Sequence, residues 1–184
     1  MNVRARVPAA RDVSVVIRPA RVPDAPWLAG LAERTFRETY TAYNTAEDME
    51  RYVSEHFGSE LQGAELGDPT YLTLVAEVGG QPAGYTQLRQ GPAPAAVTGA
   101  DPIEVFRFYV DRPWHGQGLA QALMGAAAEQ AQVAGARTLW LGVWERNSRA
   151  IAFYRKCGFT EVGTQTFVLG TDHQRDLVLQ RPIP

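Results

Sequence analysis

Residues 103–156 alternate between strand and helix patterns, and this alternation constrains the fold more than any other feature of the chain. An extended run at 103–110 precedes an Ala-rich helical run at 118–133, and a second strand and helix follow at 137–143 and 147–156. Strands that alternate with helices of this length pair in parallel, because each helix carries the chain back across the sheet. The sequence therefore predicts an α/β domain with a partly parallel, mixed sheet.

Shorter patterns on either side of this run complete the domain. Alternating apolar residues predict further strands, Gly79-Gly80 marks a hairpin turn, and apolar residues at helical spacing predict three helices after the first strand. The predicted strands are 13–18, 71–78, 83–89, 162–169 and 176–180, and the predicted helices are 26–43, 45–57 and 59–66. The result is a single domain at 13–184 with six or seven strands, preceded by a flexible extension at 1–12.

The turn after strand 103–110 reads His115-Gly116-Gln117-Gly118 and is typical of an anion-binding site. Glycines let the backbone approach a ligand closely, and the free N–H groups at a helix start carry partial positive charge. The segment lacks the lysine and hydroxyl residue of a P-loop and the third glycine of a dinucleotide-binding turn. A tight connection that holds no ligand is the alternative that the turn alone leaves open.

A second motif lies on the helix at 147–156. Asn147 stands where a helix-capping residue is favoured, and Gly158 follows the end of the helix. Asn147 and Tyr154 are two helical turns apart, so both side chains project from one face. From the spacing alone, Asn147 is either a cap or a ligand-binding residue, and Tyr154 is either a core aromatic or a functional one.

Together the two motifs resemble those of the GCN5-related N-acetyltransferases. The family signature is Arg or Gln, two residues, Gly, one residue, and then Gly or Ala; here it reads His115-x-x-Gly118-x-Ala120. His115 departs from the signature, so a specific contact and a solvated turn position both stay open for its side chain. Four segments also look like the bacterial PaiA-like polyamine acetyltransferase subgroup, namely 36–40, 47–50, 108–110 and 144–147.

The resemblance implies both a fold and a cosubstrate. It implies an acyl-CoA N-acyltransferase fold, splayed between the strands that end near Val110 and Val143, with acetyl-CoA in the opening. Backbone groups of Phe108, Tyr109 and Val110 are expected to pair with the pantetheine arm. The other residues expected at acetyl-CoA are His115, Gly116, Gln117, Gly118, Leu119 and Ala120 around the pyrophosphate, and Asn147, Ala150 and Phe153 on the following helix.

The resemblance also implies two catalytic residues. Tyr154 matches the tyrosine that gives a proton to the departing thiolate, and its hydroxyl is protonated at neutral pH. Glu104 matches a glutamate that acts as a base, because an incoming ammonium must lose a proton before it attacks. In a regular strand Glu104 lies on the same face as Val110, whereas Arg107 faces the opposite way and is structural.

Charge is divided unevenly along the chain, although the net charge is only −2. Residues 24–66 hold nine acids against three arginines, whereas residues 103–160 hold four acids against seven bases. An acidic segment would attract a cationic amine and a basic one an anionic cofactor, but solvated helix faces explain the same counts. With the subgroup resemblance, the expected acceptor is a polyamine or another small primary amine, acetylated by direct attack in a ternary complex.

Several kinds of partner and site are not expected. The charge balance gives no reason to expect nucleic acid, and no apolar run is long enough for a membrane span. Cys157 is the only cysteine, which fits a cytoplasmic location and excludes an internal disulfide. His56 and His173 have no partners at metal-ligand spacing, so no metal is expected. Analogy with the family predicts a homodimer.

Two other functions stay open on the sequence. The first keeps the chemistry but uses a protein acceptor, either an N-terminal amine or a lysine side chain. The second is a catalytically silent module that binds acetyl-CoA. Trp114, Trp140 and Trp144 are interpreted as packing residues rather than residues that contact substrate.

Overall fold

The described structure, a computed structural model covering residues 3–5 and 14–183, is built on one mixed sheet. Its strands are β1 (Val3–Ala5), β2 (Val15–Pro19), β3 (Tyr71–Val78), β4 (Gln81–Arg89), β5 (Pro102–Val110), β6 (Thr138–Trp144), β7 (Thr160–Leu169) and β8 (Asp172–Pro182). Its helices are α1 (Ala25–Tyr40), α2 (Ala46–His56), α3 (Ser59–Gly67), α4 (Leu119–Val133) and α5 (Ser148–Lys156). The strands lie in the order β1-β2-β3-β4-β5-β6-β8-β7. The predicted α/β fold with a mixed sheet is confirmed.

The two ends of the chain differ from the simplest expectation. Strand β8 is much longer than the predicted 176–180, because the chain reverses at Gly170, where φ is +60°, and pairs with β7 along the whole hairpin. At the other end, β1 pairs antiparallel with β2. The flexible extension predicted at 1–12 stays a prediction, since residues 1–2 and 6–12 lie outside the described residues.

The sheet opens between β5 and β6. These two strands are parallel and pair only where Pro102–Glu104 lie opposite Thr138–Trp140. Beyond that point no ladder joins them in the described structure, although β5 continues to Val110 and β6 to Trp144. Helix α4 makes the crossover between them, as expected for a parallel pair. The splay predicted near Val110 and Val143 is therefore confirmed.

A β-bulge interrupts β5 before this opening. In the ladder with β4, Gln87 pairs with Arg107 but its neighbour Leu88 pairs with Val105, so Phe106 is the extra residue. A bulge of this kind shifts the alternation of side chains by one residue. The regular strand expected between residues 104 and 110 was therefore wrong.

The bulge reassigns the faces of β5. Val105 and Val110 pack in the clusters beneath α4 and α5, whereas Tyr109 packs with the aromatic residues of α1 and α2. Glu104 pairs across the sheet with Arg89, on the face opposite Val105. Glu104 and Val110 thus face opposite sides, and Arg107 shares the Glu104 side, so both orientations expected from the sequence are corrected.

Helices cover both faces of the sheet. Apolar residues of α4 and α5, such as Met124 and Ile151, pack on one face together with Leu139 of β6. Residues of α1 and α2, such as Leu31 and Met49, pack on the other face. Among the described helices, none is long and apolar enough to cross a membrane. The opening between β5 and β6 thus connects the two faces of the sheet.

Candidate active site

A cavity of about 420 Å³ fills the opening between β5 and β6. Strand β5 lines it from Glu104 to Val110, and β6 lines it from Gly142 to Trp144. Residues of α5 line the cavity on one face of the sheet, and residues of α1 and α2 line it on the other. The cavity therefore passes through the sheet, so ligands approaching from opposite faces can meet inside it.

Most of the residues predicted for the site line this cavity. Eleven of the fourteen do so: Glu104, Phe108, Tyr109, Val110, His115, Gly116, Ala120, Asn147, Ala150, Phe153 and Tyr154. The other three lie beside it. The side-chain amide of Gln117 donates to the carbonyl of Pro113 at 2.6 Å, Gly118 is the N-cap of α4, and Leu119, the first residue of α4, is buried. Any contact of these three with a cavity ligand would come from the backbone.

The start of α4 has the backbone geometry of an anion-binding turn. Gly116 and Gly118 have φ of +73° and +83°, in the left-handed region that favours glycine. Gly118 is the N-cap and offers no side chain, so the first N–H groups of this 15-residue helix have no side-chain acceptor. Free N–H groups and the positive end of the dipole are suited to a phosphate.

His115 holds the end of β5 against the start of α5. Its Nε2 lies 2.8 Å from the carbonyl oxygen of Val110, and its Nδ1 lies 3.1 Å from Nη1 of Arg149. Arg149 can only donate, so Nδ1 accepts and the proton of the neutral ring is on Nε2. The side chain, for which the sequence left a ligand contact and a solvated turn position open, thus fixes one edge of the cavity.

Asn147 and Tyr154 both line the cavity, as their spacing on one helix face predicts. Oδ1 of Asn147 accepts from the N–H of Ala150 at 3.1 Å, so Asn147 does cap α5, and its Nδ2 group is the part left to donate. The ring of Tyr154 is buried against Phe108 and Phe159. Burial raises the pKa of the Tyr154 hydroxyl well above its ordinary value, so it stays protonated at neutral pH.

Glu104 is a cavity carboxylate that already has a partner. Arg89 donates to Glu104 from Nε at 2.9 Å, and its Nη2 lies 2.6 Å from the same oxygen. The guanidinium of Arg89 also lies 3.8 Å from the ring centre of Phe106. Burial raises the pKa of Glu104 and Arg89 opposes this, so the carboxylate is moderately more basic than a solvated one.

Arg107 belongs to the scaffold rather than to the reacting centre. Its guanidinium is buried and is bonded to Glu65 of α3, to Gln87 Oε1 at 2.6 Å and to the carbonyl of His56 at 3.3 Å. These contacts join α2 and α3 to the sheet. The structural role expected for Arg107 agrees with this network.

Asp176 is a cavity residue that the sequence analysis missed. It lies on β8, is only 8% exposed, and its Oδ1 has no hydrogen-bond partner among the described residues. Burial raises its pKa to about 6 from an ordinary value of 3.8. The signal available in the sequence was an acid placed directly before the apolar run Leu177–Leu179 of a final strand.

An aromatic wall faces this carboxylate, and of its rings only Trp144 had been given a role from the sequence, that of a packing residue. The ring of Tyr40 packs against Trp144 at a tilt of 36°, with ring centres 5.2 Å apart, and its centre lies 6.4 Å from that of Phe167. Tyr52 lies 5.4 Å from Phe167. These four rings line the cavity, so Trp144, which is buried as expected of a packing residue, also forms part of the cavity wall.

The acidic segment supplies none of the cavity's carboxylates. Helices α1 and α2 do form a wall, but from that segment only Phe36, Thr39, Tyr40 and Tyr52 line it. The acids are largely engaged elsewhere: Arg37, for example, bonds both Glu33 and Glu50. Of the two explanations left open for the acidic count of 24–66, the structure therefore favours solvated and ion-paired helix faces.

A second, basic cavity of about 430 Å³ adjoins the first. It is lined by Arg112, Arg146 and Arg149 with one acid, Glu38, and it shares Thr39, Trp144, Asn147 and Arg149 with the main cavity. None of the three arginines forms an ion pair with a carboxylate in the part of the chain that the structure describes. This cavity is therefore suited to an anion.

Three comparisons agree with this geometry. A profile of the acetyltransferase (GNAT) family matches residues 32–159. An uncharacterised N-acetyltransferase of Lactobacillus delbrueckii subsp. lactis is 30% identical over 160 residues, which cover 87% of this chain and 92% of that protein. The crystal structure of the PaiA N-acetyltransferase of Thermoplasma acidophilum with coenzyme A superposes with a TM-score of 0.75 at 20% identity, over 92% of this chain and 99% of that one.

A shorter similarity involves an enzyme with a protein acceptor. The alanine N-acetyltransferase of ribosomal protein bS18 from Escherichia coli is 32% identical over 80 residues, which cover 43% of this chain and 54% of that protein. The match thus spans about half of that relative.

Proposed function

The chain belongs to the acetyltransferase (GNAT) family and is an acetyl-CoA-dependent N-acetyltransferase, and on this basis we propose that its acceptor is a small cationic amine, such as a polyamine. The observation that carries the proposal is the cavity through the splayed sheet. Its acceptor side is lined by aromatic rings of α1, α2 and β7 and by Asp176, whose carboxylate forms no ion pair with any residue that the structure describes. An aromatic, negatively charged pocket of this size fits a small organic cation better than a peptide segment.

The residues around the opening fit acetyl-CoA as the second substrate. We propose that backbone groups of Phe108–Val110, which have no ladder to β6, pair with its pantetheine arm. The uncapped start of α4 would receive its pyrophosphate, and the Nδ2 group of Asn147 would donate to an amide carbonyl. The arginines of the adjoining cavity offer further positive charge to its phosphates.

The chain's own residues supply two proton transfers in the proposed reaction. Acetyl-CoA contributes a thioester carbon, to which the acceptor nitrogen bonds as the carbon–sulfur bond breaks. Tyr154 gives its hydroxyl proton to the sulfur, and Glu104 takes a proton from the acceptor ammonium. The nitrogen loses two protons in all: one restores Tyr154, and the other leaves through Glu104 to solvent. Backbone N–H groups near Val110 polarise the carbonyl during attack.

The test is release of coenzyme A thiol across polyamines, amino acids, aminoglycosides and short peptides, with Tyr154→Phe beside the wild type. We expect turnover with polyamines, and a loss of about 100-fold or more in kcat for Tyr154→Phe, with the KM for acetyl-CoA little changed. Tyr71→Phe is the matched control, because Tyr71 does not line the cavity and its ring packs on Phe106 at the cavity wall. A large loss of acetyl-CoA affinity with kcat intact would contradict the role given to Tyr154.

A protein N-terminus is the second candidate acceptor. The observation that favours it is the similarity to the Escherichia coli enzyme for ribosomal protein bS18, over residues that cover 43% of this chain. The same thiol-release assay separates the two candidates. Turnover with peptides that have free N-terminal amines, and none with polyamines, would assign the protein acceptor instead.

A further inference from the structure

Among the described residues, Asp176 differs from the other buried carboxylates because it has neither a cationic partner nor a hydrogen bond to its Oδ1, whereas buried Asp48 accepts from Thr45 and Thr171. Glu65 is bonded to Arg107, and Glu104 is bonded to Arg89. Asp176 forms no ion pair with any described residue, and its Oδ1 has no hydrogen-bond partner. A buried carboxylate without a partner is unfavourable in the free protein. A cationic ligand that forms an ion pair with it would therefore gain binding free energy.

The surroundings of Asp176 leave room for a ligand. Gly142 lies beneath the carboxylate: a Cβ added there would be 3.2 Å from Oδ2 of Asp176 and 2.5 Å from Nε2 of Gln165. The space over position 142 is thus already filled by the side chains of Asp176 and Gln165, and the room for a ligand is the cavity that both side chains line. Because position 142 is glycine, the carboxylate lies over the sheet surface at the wall of the cavity, next to Trp144, its partner across the ladder.

The chemistry of the site selects an organic ammonium ion. The described residues contain no cluster of three metal-ligating side chains, so a metal ion would find one carboxylate and little else. Aromatic rings, in contrast, attract an alkylammonium both by contact with its methylene groups and by the charge of their faces. Tyr40, Trp144 and Phe167 provide these rings beside Asp176.

The position of Asp176 separates it from the nitrogen that reacts. A carboxylate keeps a bound ammonium charged, whereas the nitrogen that attacks must lose its proton. Glu104 lies on β5 and Asp176 on β8, with β6 between them, and the two register positions are offset along the ladder. Two strand spacings and four residues of offset place their Cα atoms roughly 16 Å apart. One long cation can therefore occupy both places.

We propose that Asp176, with the rings of Tyr40, Trp144 and Phe167, binds the ammonium group of the acceptor that is not acetylated. The inference rests on the proposed function and names the residue that determines substrate choice. The enzyme accordingly prefers diamines and polyamines to monoamines of the same chain length. Asp176 is a specificity-determining residue, whereas Glu104 and Tyr154 carry out the proton transfers.

The test compares kcat/KM for matched acceptors in the wild type and in Asp176→Asn. The pairs are octamethylenediamine with n-octylamine, and nonamethylenediamine with n-nonylamine, because diamines of this length can reach both Glu104 and Asp176. We expect the wild type to prefer each diamine by about 10-fold or more, and Asp176→Asn to lose most of this preference through the KM for diamine. A ratio of two acceptors measured on one preparation is unaffected by the fraction of folded protein.

A control variant and a non-reacting cation complete the experiment. Glu145→Gln removes an exposed carboxylate next to Trp144 in sequence, outside both cavities, and should keep the preference. Tetramethylammonium should inhibit the wild type competitively with diamine, and Asp176→Asn about 10-fold more weakly. Equal losses for diamine and monoamine in Asp176→Asn, or unchanged inhibition by tetramethylammonium, would overturn the inference.

Failure of the proposed function gives a different result. If no amine is acetylated by the wild type, the small-amine proposal fails, and binding of tetramethylammonium to the coenzyme A complex still tests Asp176 by calorimetry. Binding that is lost in Asp176→Asn then supports the ammonium site. Binding that is equal in the two proteins overturns it.

Discussion

Replacing Asp176 by Asn should stabilise the protein at neutral and alkaline pH. In the folded chain burial raises the pKa of Asp176 to about 6, whereas the ordinary value is 3.8. A pKa difference of about two units corresponds to about 3 kcal/mol of free energy, at 1.36 kcal/mol per unit. Asn has the same shape and carries no charge, so it removes this penalty, although its amide also lacks a partner there. We expect a net gain of about 1–3 kcal/mol.

The sign of the effect fixes its pH dependence. The folded state holds the Asp176 proton more tightly than the unfolded chain, so the penalty is absent below about pH 4, grows as the pH rises through about 6, and is constant above about pH 7. Tyr40 and Tyr52, which face Asp176 from α1 and α2, have pKa values raised by burial and do not titrate in this range. Other ionisable groups contribute equally to both proteins and cancel.

The assay is urea unfolding followed by far-ultraviolet circular dichroism for both proteins between about pH 4 and about pH 8, without acceptor. The difference in unfolding free energy should rise with pH in favour of the variant, with equal m-values. A variant less stable than the wild type at the higher pH would refute the reasoning. So would a difference that is constant across the range, because it would not come from titration of Asp176.

Two further variants test the scaffold and the cap. Arg107→Met should lower the unfolding free energy by about 3–5 kcal/mol, since it leaves Glu65 buried and unpaired, and adding Glu65→Leu should restore most of the loss in a urea titration. Asn147→Ala should lose about 1 kcal/mol and raise the KM for acetyl-CoA; Asn147→Ser keeps a capping oxygen, so it should recover the stability but not the KM. Recovery of both by Ser would contradict a role for the Nδ2 group.

The order of strands and helices was predictable because it depends on local periodicity. The parallel pair β5–β6 followed from the alternation at 103–156, and the hairpin at β3–β4 followed from Gly79-Gly80. That Asn147 and Tyr154 line the same cavity could also be predicted, because their spacing along the helix places both side chains on one face. In each case the chain's own geometry decides the outcome, without knowledge of distant contacts.

The bulge at Phe106 was not predictable in the same way. A bulge depends on how β5 pairs with β4, and nothing within β5 marks the extra residue, since 102–110 reads as a continuous strand. A one-residue shift moves every later side chain to the other face. Glu104 could therefore be identified as a candidate base from the family resemblance. The face to which its side chain points could be found only from the pairing of β5 with β4.

Charge counting failed at the acceptor wall for a related reason. The acids of residues 24–66 lie close to arginines in space, and ion pairs such as Arg37 with Glu33 and Glu50 cancel much of the apparent excess. Asp176 contributes only one negative charge to the chain, but it is buried without a cationic partner among the described residues. Its carboxylate therefore acts on a cavity ligand far more strongly than a solvated carboxylate does. On the proposed function, selection of a cationic acceptor therefore depends on where a carboxylate has no partner among the described residues, and β8 places Asp176 beside the aromatic wall.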